Sequence, residues 1–132
     1  MKIKLERIQD LFEDFVDELL DIVEEPNNCH WNSAMVCHQF KDWDCIDYCE
    51  GYLKGYIGHA WNVYTDANGN KHYFDITQES NYANGLVTEF CDELELVTEI
   101  SADDIIEQFN KDGYGHLVSV EVIAPFEQAI SF

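Results

Sequence analysis

Positive charge is scarce in this chain. Seven Lys and Arg stand against 27 Asp and Glu in 132 residues, a formal net charge of −20. Phosphate contacts need clustered cations, so direct nucleic-acid binding is not expected. An anionic membrane surface is disfavoured for the same reason, whereas a basic partner protein would be attracted. Long apolar runs are also missing: none approaches the ~20 residues of a membrane span. Met1 to Leu5 carry no apolar h-region of a secretory leader. The expected compartment is therefore the cytoplasm, where the five cysteines stay mostly reduced. Proline occurs twice, and there is no low-complexity tract or linker on which to divide the chain. With 46% apolar and 14% aromatic residues, 1–132 reads as a single domain able to bury a real core.

The pattern that is present is mixed. Leu5, Ile8, Phe12, Phe15, Leu19 and Ile22 recur at spacings of three and four, with Asp10, Glu13, Asp14, Asp17, Glu18 and Asp21 between them. This predicts an amphipathic helix from residue 3 to about 24, stopped by Pro26. Asn28 is a plausible N-cap for a second helix, Cys29 to about Lys41. Strands are expected over Ile46–Tyr56, Gly58–Thr65, Lys71–Thr77 and Leu94–Ile100. Residues 79 to 92 carry no decisive pattern. Ser101, with Asp104 three positions on and Gly113 past the end, brackets a short third helix. His116 to Ala124 alternates as a half-buried strand. The fold class is α+β, with the first two helices on one face of a largely antiparallel sheet and the third at its edge or opposite face.

The unusual residues fall between Asn27 and Gln78. Cys29 stands in the first turn of a helix, where unpaired backbone N–H groups and the helix dipole favour thiolate. His59 lies on one strand and Asp75 on the next. A Cys, a His and an acid in this order can act as thiol nucleophile, base and orienting group. Whether His59 and Asp75 meet depends on the turn Asp66-Ala67-Asn68-Gly69-Asn70. A three-residue loop with Gly69 in the left-handed region pairs Asp66 with Asn70, sets His59 opposite Thr77 and makes Asp75 its diagonal neighbour on one face. That face, with Trp61, Val63 and Tyr73, must then look toward the start of the Cys29 helix. A two-residue Asn68-Gly69 turn shifts the register by one and sends His59 and Asp75 to opposite faces.

Cys29-His30-Trp31-Asn32-Ser33, Glu50-Gly51-Tyr52 and His59-Ala60-Trp61, followed by Asp75-Ile76-Thr77, resemble the papain-like and transglutaminase-like cysteine superfamily, in particular its small phage-associated or bacterial members. The resemblance covers about residues 27 to 78. It implies a papain-like core with Cys29 as nucleophile, His59 as base and Asp75 as orienter. The activities it implies are peptide or amide hydrolysis, or acyl transfer from a glutamine to an amine. The chain departs from the pattern in three places: no Gln upstream of Cys29 matches the oxyanion residue, the Cys-to-His interval is thirty, and Ile76 follows Asp75 where Pro is common.

Asn27, Asn32 and Glu50 are candidate oxyanion or supporting residues. No metal or organic cofactor is expected. Cys29, Cys37, Cys45 and Cys49 with His30 and His38 form the alternative of a zinc cluster, but no Cys-x-x-Cys knuckle is present. Cys37, Cys45, Cys49 and Cys91 read as small core residues, and His72 and His116 as surface or strand-edge residues. The rival functional class is a non-catalytic acidic binding protein: an inhibitor, accessory factor or nucleic-acid mimic that engages a basic partner.

Overall fold

The computed structural model describes residues 1–26 and 28–112. Asn27, Gly113, His116 and the strand expected from His116 to Ala124 lie outside them. The described residues fold as α+β: five α-helices accompany a five-stranded, wholly antiparallel sheet of order β1-β5-β2-β3-β4. The strands are β1 (Lys2–Lys4), β2 (Ile46–Leu53), β3 (Ile57–Thr65), β4 (Lys71–Phe74) and β5 (Glu93–Ile100). Just past β1, Leu5 bridges to Tyr73 of β4, so the two sheet edges meet and the sheet curls almost into a barrel. The helices are α1 (Ile8–Leu11), α2 (Val16–Asp21), α3 (Cys29–Gln39), α4 (Ile76–Ala83) and α5 (Ala102–Asp112).

The single long N-terminal helix does not form. Lys2-Ile3-Lys4 alternates exposed, buried, exposed, and pairs with Glu93, Leu94 and Glu95. Opposite charges face each other across that pair, with Lys2 Nζ 3.5 Å from Glu93. The helical part is interrupted at Phe12, whose φ of −137° and ψ of 53° are not helical. A short 3-10 turn over Glu13–Phe15 then leads into α2. The apolar stripe still goes inside: Ile8, Phe12, Leu19 and Ile22 pack with Val36 and Phe40 of α3 and with Ile46, Phe74 and Ile76. Each such side chain contributes about 1.5–3 kcal/mol through burial, which fixes the segment without an unbroken helix. A side chain from α4 starts α1: Glu79, 5% exposed, accepts from the Ile8 N–H at 2.8 Å and pairs with Arg7 at 2.8 Å.

The hairpin between β3 and β4 has the three-residue form. Asp66 N–H donates to the Asn70 carbonyl, Gly69 takes φ 83°, and the register pairs Asn62 with Phe74 and Thr65 with Lys71. The partner strand ends earlier than its composition indicates. It stops at Phe74, and Asp75 is the N-cap of α4 rather than a strand residue, because its side chain accepts from the Gln78 N–H. Strand β2 likewise stops at Leu53, since Lys54 and Gly55 both turn into positive φ.

One face of β2 and β3 lies inside the curl, where Cys49, Leu53, Ile57, Trp61 and Val63 pack with Ile3, Leu5, Tyr73 and Leu94. The other face receives α3. Cys29, Ala34 and Cys37 pack there against Tyr48 and Ala60, joined by Ile105 and Phe109 of α5. The third helix therefore shares the face of α3. Buried Asn62 fastens the layers, donating to the Ser33 carbonyl at 2.9 Å and the Asp47 carbonyl at 3.1 Å.

Candidate active site

Strand β3 is the platform of the site. Its ladder with β4 covers Asn62 to Thr65, so the flank at His59 and Ala60 is left open by the end of β4. Two groups occupy that flank. From one side comes Asp75 at the head of α4, whose Oδ2 lies 2.6 Å from His59 Nε2. From the other comes Cys29 at the head of α3, whose ionised form is favoured by His59 and by the Ala60 backbone. Nε2 is the nitrogen that meets Asp75.

The face expectation is thereby corrected. Helix α3 lies over the Ala60 and Asn62 face, not the His59 and Trp61 face. Cys29 still meets His59 because both stand at the open flank, where a side chain from either face can turn outward. Thr77 is inside α4 and is not paired with His59; its hydroxyl accepts from Asn32 Nδ2 at 3.0 Å.

Exposure falls along the relay: Cys29 keeps 8% of its surface, His59 2% and Asp75 none. Burial by itself would push the thiol up. The positive charge of His59, hydrogen bonds from His30 and His59, and the Ala60 N–H outweigh it and bring Cys29 down to about 6. Burial would also push His59 down, but the charges of Asp75 and Cys29 and its bonds to both hold it well above its ordinary value. Both shifts favour the thiolate–imidazolium form of the pair. The contrast is Cys37, two turns further along the same helix, which burial and the charge of Asp47 push up to about 12.

The helix start is arranged for an anion. Asn28 occupies the N-cap position but its side chain makes no capping hydrogen bond, which leaves first-turn N–H groups of α3 without a side-chain acceptor from that residue. Asn32 points away from the thiol: it is fully buried and donates to Thr77 Oγ1 and, at 3.4 Å, to the Glu25 carbonyl. Glu50 is not at a strand end. It sits fully buried in the middle of β2 and accepts from the Tyr48 hydroxyl. Burial and the neighbouring Glu50 push Tyr48 far up, with the Cys29 charge adding to the effect, so Tyr48 stays a neutral donor beside the site.

Three contributors carry no label in the sequence reading. His30 hydrogen-bonds the Cys29 thiolate. Gln78 donates through Nε2 to Asp75 Oδ2 at 2.9 Å and to the Cys91 carbonyl at 2.9 Å, and accepts from the Cys91 N–H at 2.8 Å. It holds the carboxylate and ties it to the segment entering β5. Gly51 faces His59 across the β2–β3 ladder at a β-bulge, where a Cβ would lie 1.8 Å from the Glu95 carbonyl oxygen and 2.8 Å from Trp61. Trp61, stacked beside His59 with ring centroids 6.2 Å apart, takes the space a side chain would fill. Asp75-x-x-Gln78 has the spacing of a capping box, the one sequence signal that pointed at Gln78.

Among the described residues, no group of three or more His, Cys, Asp or Glu is placed to hold a metal ion, so the cysteines and histidines of the zinc alternative do not converge there. No helix among them is long and apolar enough to cross a membrane. Compared with known protein families, curated proteins and solved structures, the chain matches none.

Proposed function

We propose that this chain is a small cysteine hydrolase or acyltransferase acting on peptide or amide bonds, with a papain-like or transglutaminase-like arrangement of Cys29, His59 and Asp75. The observation that carries the reading is the placing of His59 between two ionisable groups: its Nε2 lies 2.6 Å from Asp75 Oδ2, and its charge acts on Cys29 to lower the thiol pKa. The acidic-binding alternative rests on net charge alone, which says nothing of why three ionisable groups should be gathered and desolvated together.

In this reading the Cys29 thiolate attacks the carbonyl carbon of an amide. The C=O electron pair moves to oxygen, and the negative charge is met by N–H groups at the start of α3. His59 delivers a proton to the leaving nitrogen as the C–N bond breaks, and a thioester remains on Cys29. Water or an amine then attacks the thioester and gives its proton to His59, and the thiolate departs. Asp75, held by Gln78, fixes the imidazole and stabilises its charged form. His30 supports the ionisation of the thiol, and Tyr48, bonded to Glu50, packs beside it.

An activated ester tests this without knowledge of the natural substrate. With p-nitrophenyl acetate, a burst of nitrophenolate should leave an acetyl group on Cys29. Adding an amine then separates acyl transfer from hydrolysis. A burst that persists in Cys29→Ala, or acetyl spread evenly over Cys29, Cys45 and Cys91, removes the nucleophile.

A further inference from the structure

A second concave site lies at the far end of β3. Between the α1–α2 segment and the turn before β2 is a cavity of about 370 Å³, lined by Leu11, Phe12, Phe15, Trp43, Cys45 and Tyr64 with Glu13 and Asp14 at its border. Tyr64 is five residues along β3 from His59, about 17 Å at the rise of an extended strand, so the cavity is separate from the thiol.

Its walls are aromatic and set at angles to one another. Phe15 meets Trp43 edge-on at 5.1 Å and 75°, Phe12 and Tyr64 are 5.4 Å apart, and Phe12 and Trp43 6.5 Å. Trp43 is 41% exposed although the Phe40 ring packs against it with centroids 4.9 Å apart, so part of a large aromatic side chain stays at the surface. Glu13 and Asp14 are exposed where the cavity opens. Aromatic faces attract cations, and carboxylates at the entrance raise their local concentration. Because the walls offer few directional acceptors, a strongly hydrated primary ammonium gains little there, whereas a methylated ammonium needs none.

We propose that this cavity binds a small organic ammonium ion, methylated at nitrogen and carried on a short aliphatic stem. The site is independent of the triad and of its activity.

The test uses choline, its neutral carbon isostere neohexyl alcohol, and lysine amide as the side chain a protein would present. Binding is read on the Trp43 indole N–H signal, assigned with Trp43→Phe, and by protection of Cys45 from alkylation mapped by mass spectrometry. Choline should bind saturably and about five- to tenfold more tightly than the alcohol, from the usual size of a cation–aromatic contact. Trp43→Ala should abolish that preference. Glu13→Gln with Asp14→Asn should weaken choline and leave the alcohol unchanged. Equal affinity for choline and the alcohol would reduce the site to apolar surface. No saturable change with choline overturns the proposal outright, and tighter binding of lysine amide overturns the small-molecule source.

Discussion

Replacing His59 by Gln separates the two forces acting on Cys29. The imidazolium charge and its hydrogen bond are what offset burial of the thiol, so without them burial dominates. Cys37, buried with no cation and beside the charge of Asp47, is pushed up to about 12. Cys29 retains the His30 and Ala60 hydrogen bonds, so its value in the variant should rise from about 6 to at least the ordinary 9. At pH 6 the thiolate fraction then falls from about one half to about one in a thousand, a factor near 500. The rate of alkylation falls less, because a more basic thiolate is a better nucleophile: three pKa units at a Brønsted slope of 0.4–0.5 return a factor of about 20, leaving a net loss of roughly 25-fold. The midpoint of the pH profile is therefore the diagnostic quantity. Iodoacetamide adducts at Cys29, counted by mass spectrometry from pH 4 to 10, should show a midpoint near 6 in the wild-type chain and near or above 9 in His59→Gln. An unchanged midpoint would mean that His59 does not set the ionisation of Cys29, and the ion pair would be wrong.

Asp75→Ala removes both the α4 cap and the partner of buried His59; the cap alone is worth about 1 kcal/mol. Asp75→Asn keeps an oxygen for the Gln78 N–H and should cost less in a denaturant melt, while lowering the His59 pKa in an NMR titration. Gly51→Ala places a methyl against the Glu95 carbonyl at 1.8 Å and should prevent folding or cost more than about 4 kcal/mol. Gly69→Ala meets open space but φ 83°, and should cost roughly 1 kcal/mol by melt. His72 is held above its ordinary value by hydrogen bonds to Asp66 and Glu6. Its contribution is full below about 6.5 and is lost as pH rises through the folded-state value. The stability gap between wild type and His72→Gln should thus narrow with rising pH, and a gap that widens would refute this assignment.

Local chemistry was legible where one residue type has one use. Asp66 to Asn70 announced a turn but left its length, and with it the β3–β4 register, open between two forms. Ser101 with Asp104 announced α5, whose Asp104 N–H donates to Ser101 Oγ at 3.2 Å. The N-terminal segment was misread because spacings of three and four report which side chains are buried, not which backbone bonds connect them. Ile8, Phe12, Leu19 and Ile22 are buried as the stripe requires, yet the chain between them is broken. Tyr73 and Phe74 extend the strand pattern up to Asp75, so local pattern alone sets Asp75 on a strand. The Asp-x-x-Gln spacing that ends β4 is present in the same residues and competes with that pattern. The seating of α3 depended on where β4 stops, a long-range outcome that no local pattern carries.

The order β1-β5-β2 has a consequence for how the chain reaches its native state during synthesis. Strand β5 enters between two strands made long before it, and Lys2 waits for Glu95. Closing a segment of about 90 residues costs about 2–3 kcal/mol more entropy than closing the short β3–β4 turn, so the local hairpins form first and β5 is inserted late. Cys29, His59 and Asp75 all precede β5, so they leave the ribosome before the strand that completes the curl. Until it arrives, β2 presents an unpaired edge, and Gln78 lacks the Cys91 backbone that helps hold Asp75. The arrangement of Cys29, His59 and Asp75 should therefore appear as a late event of folding, after most of the secondary structure.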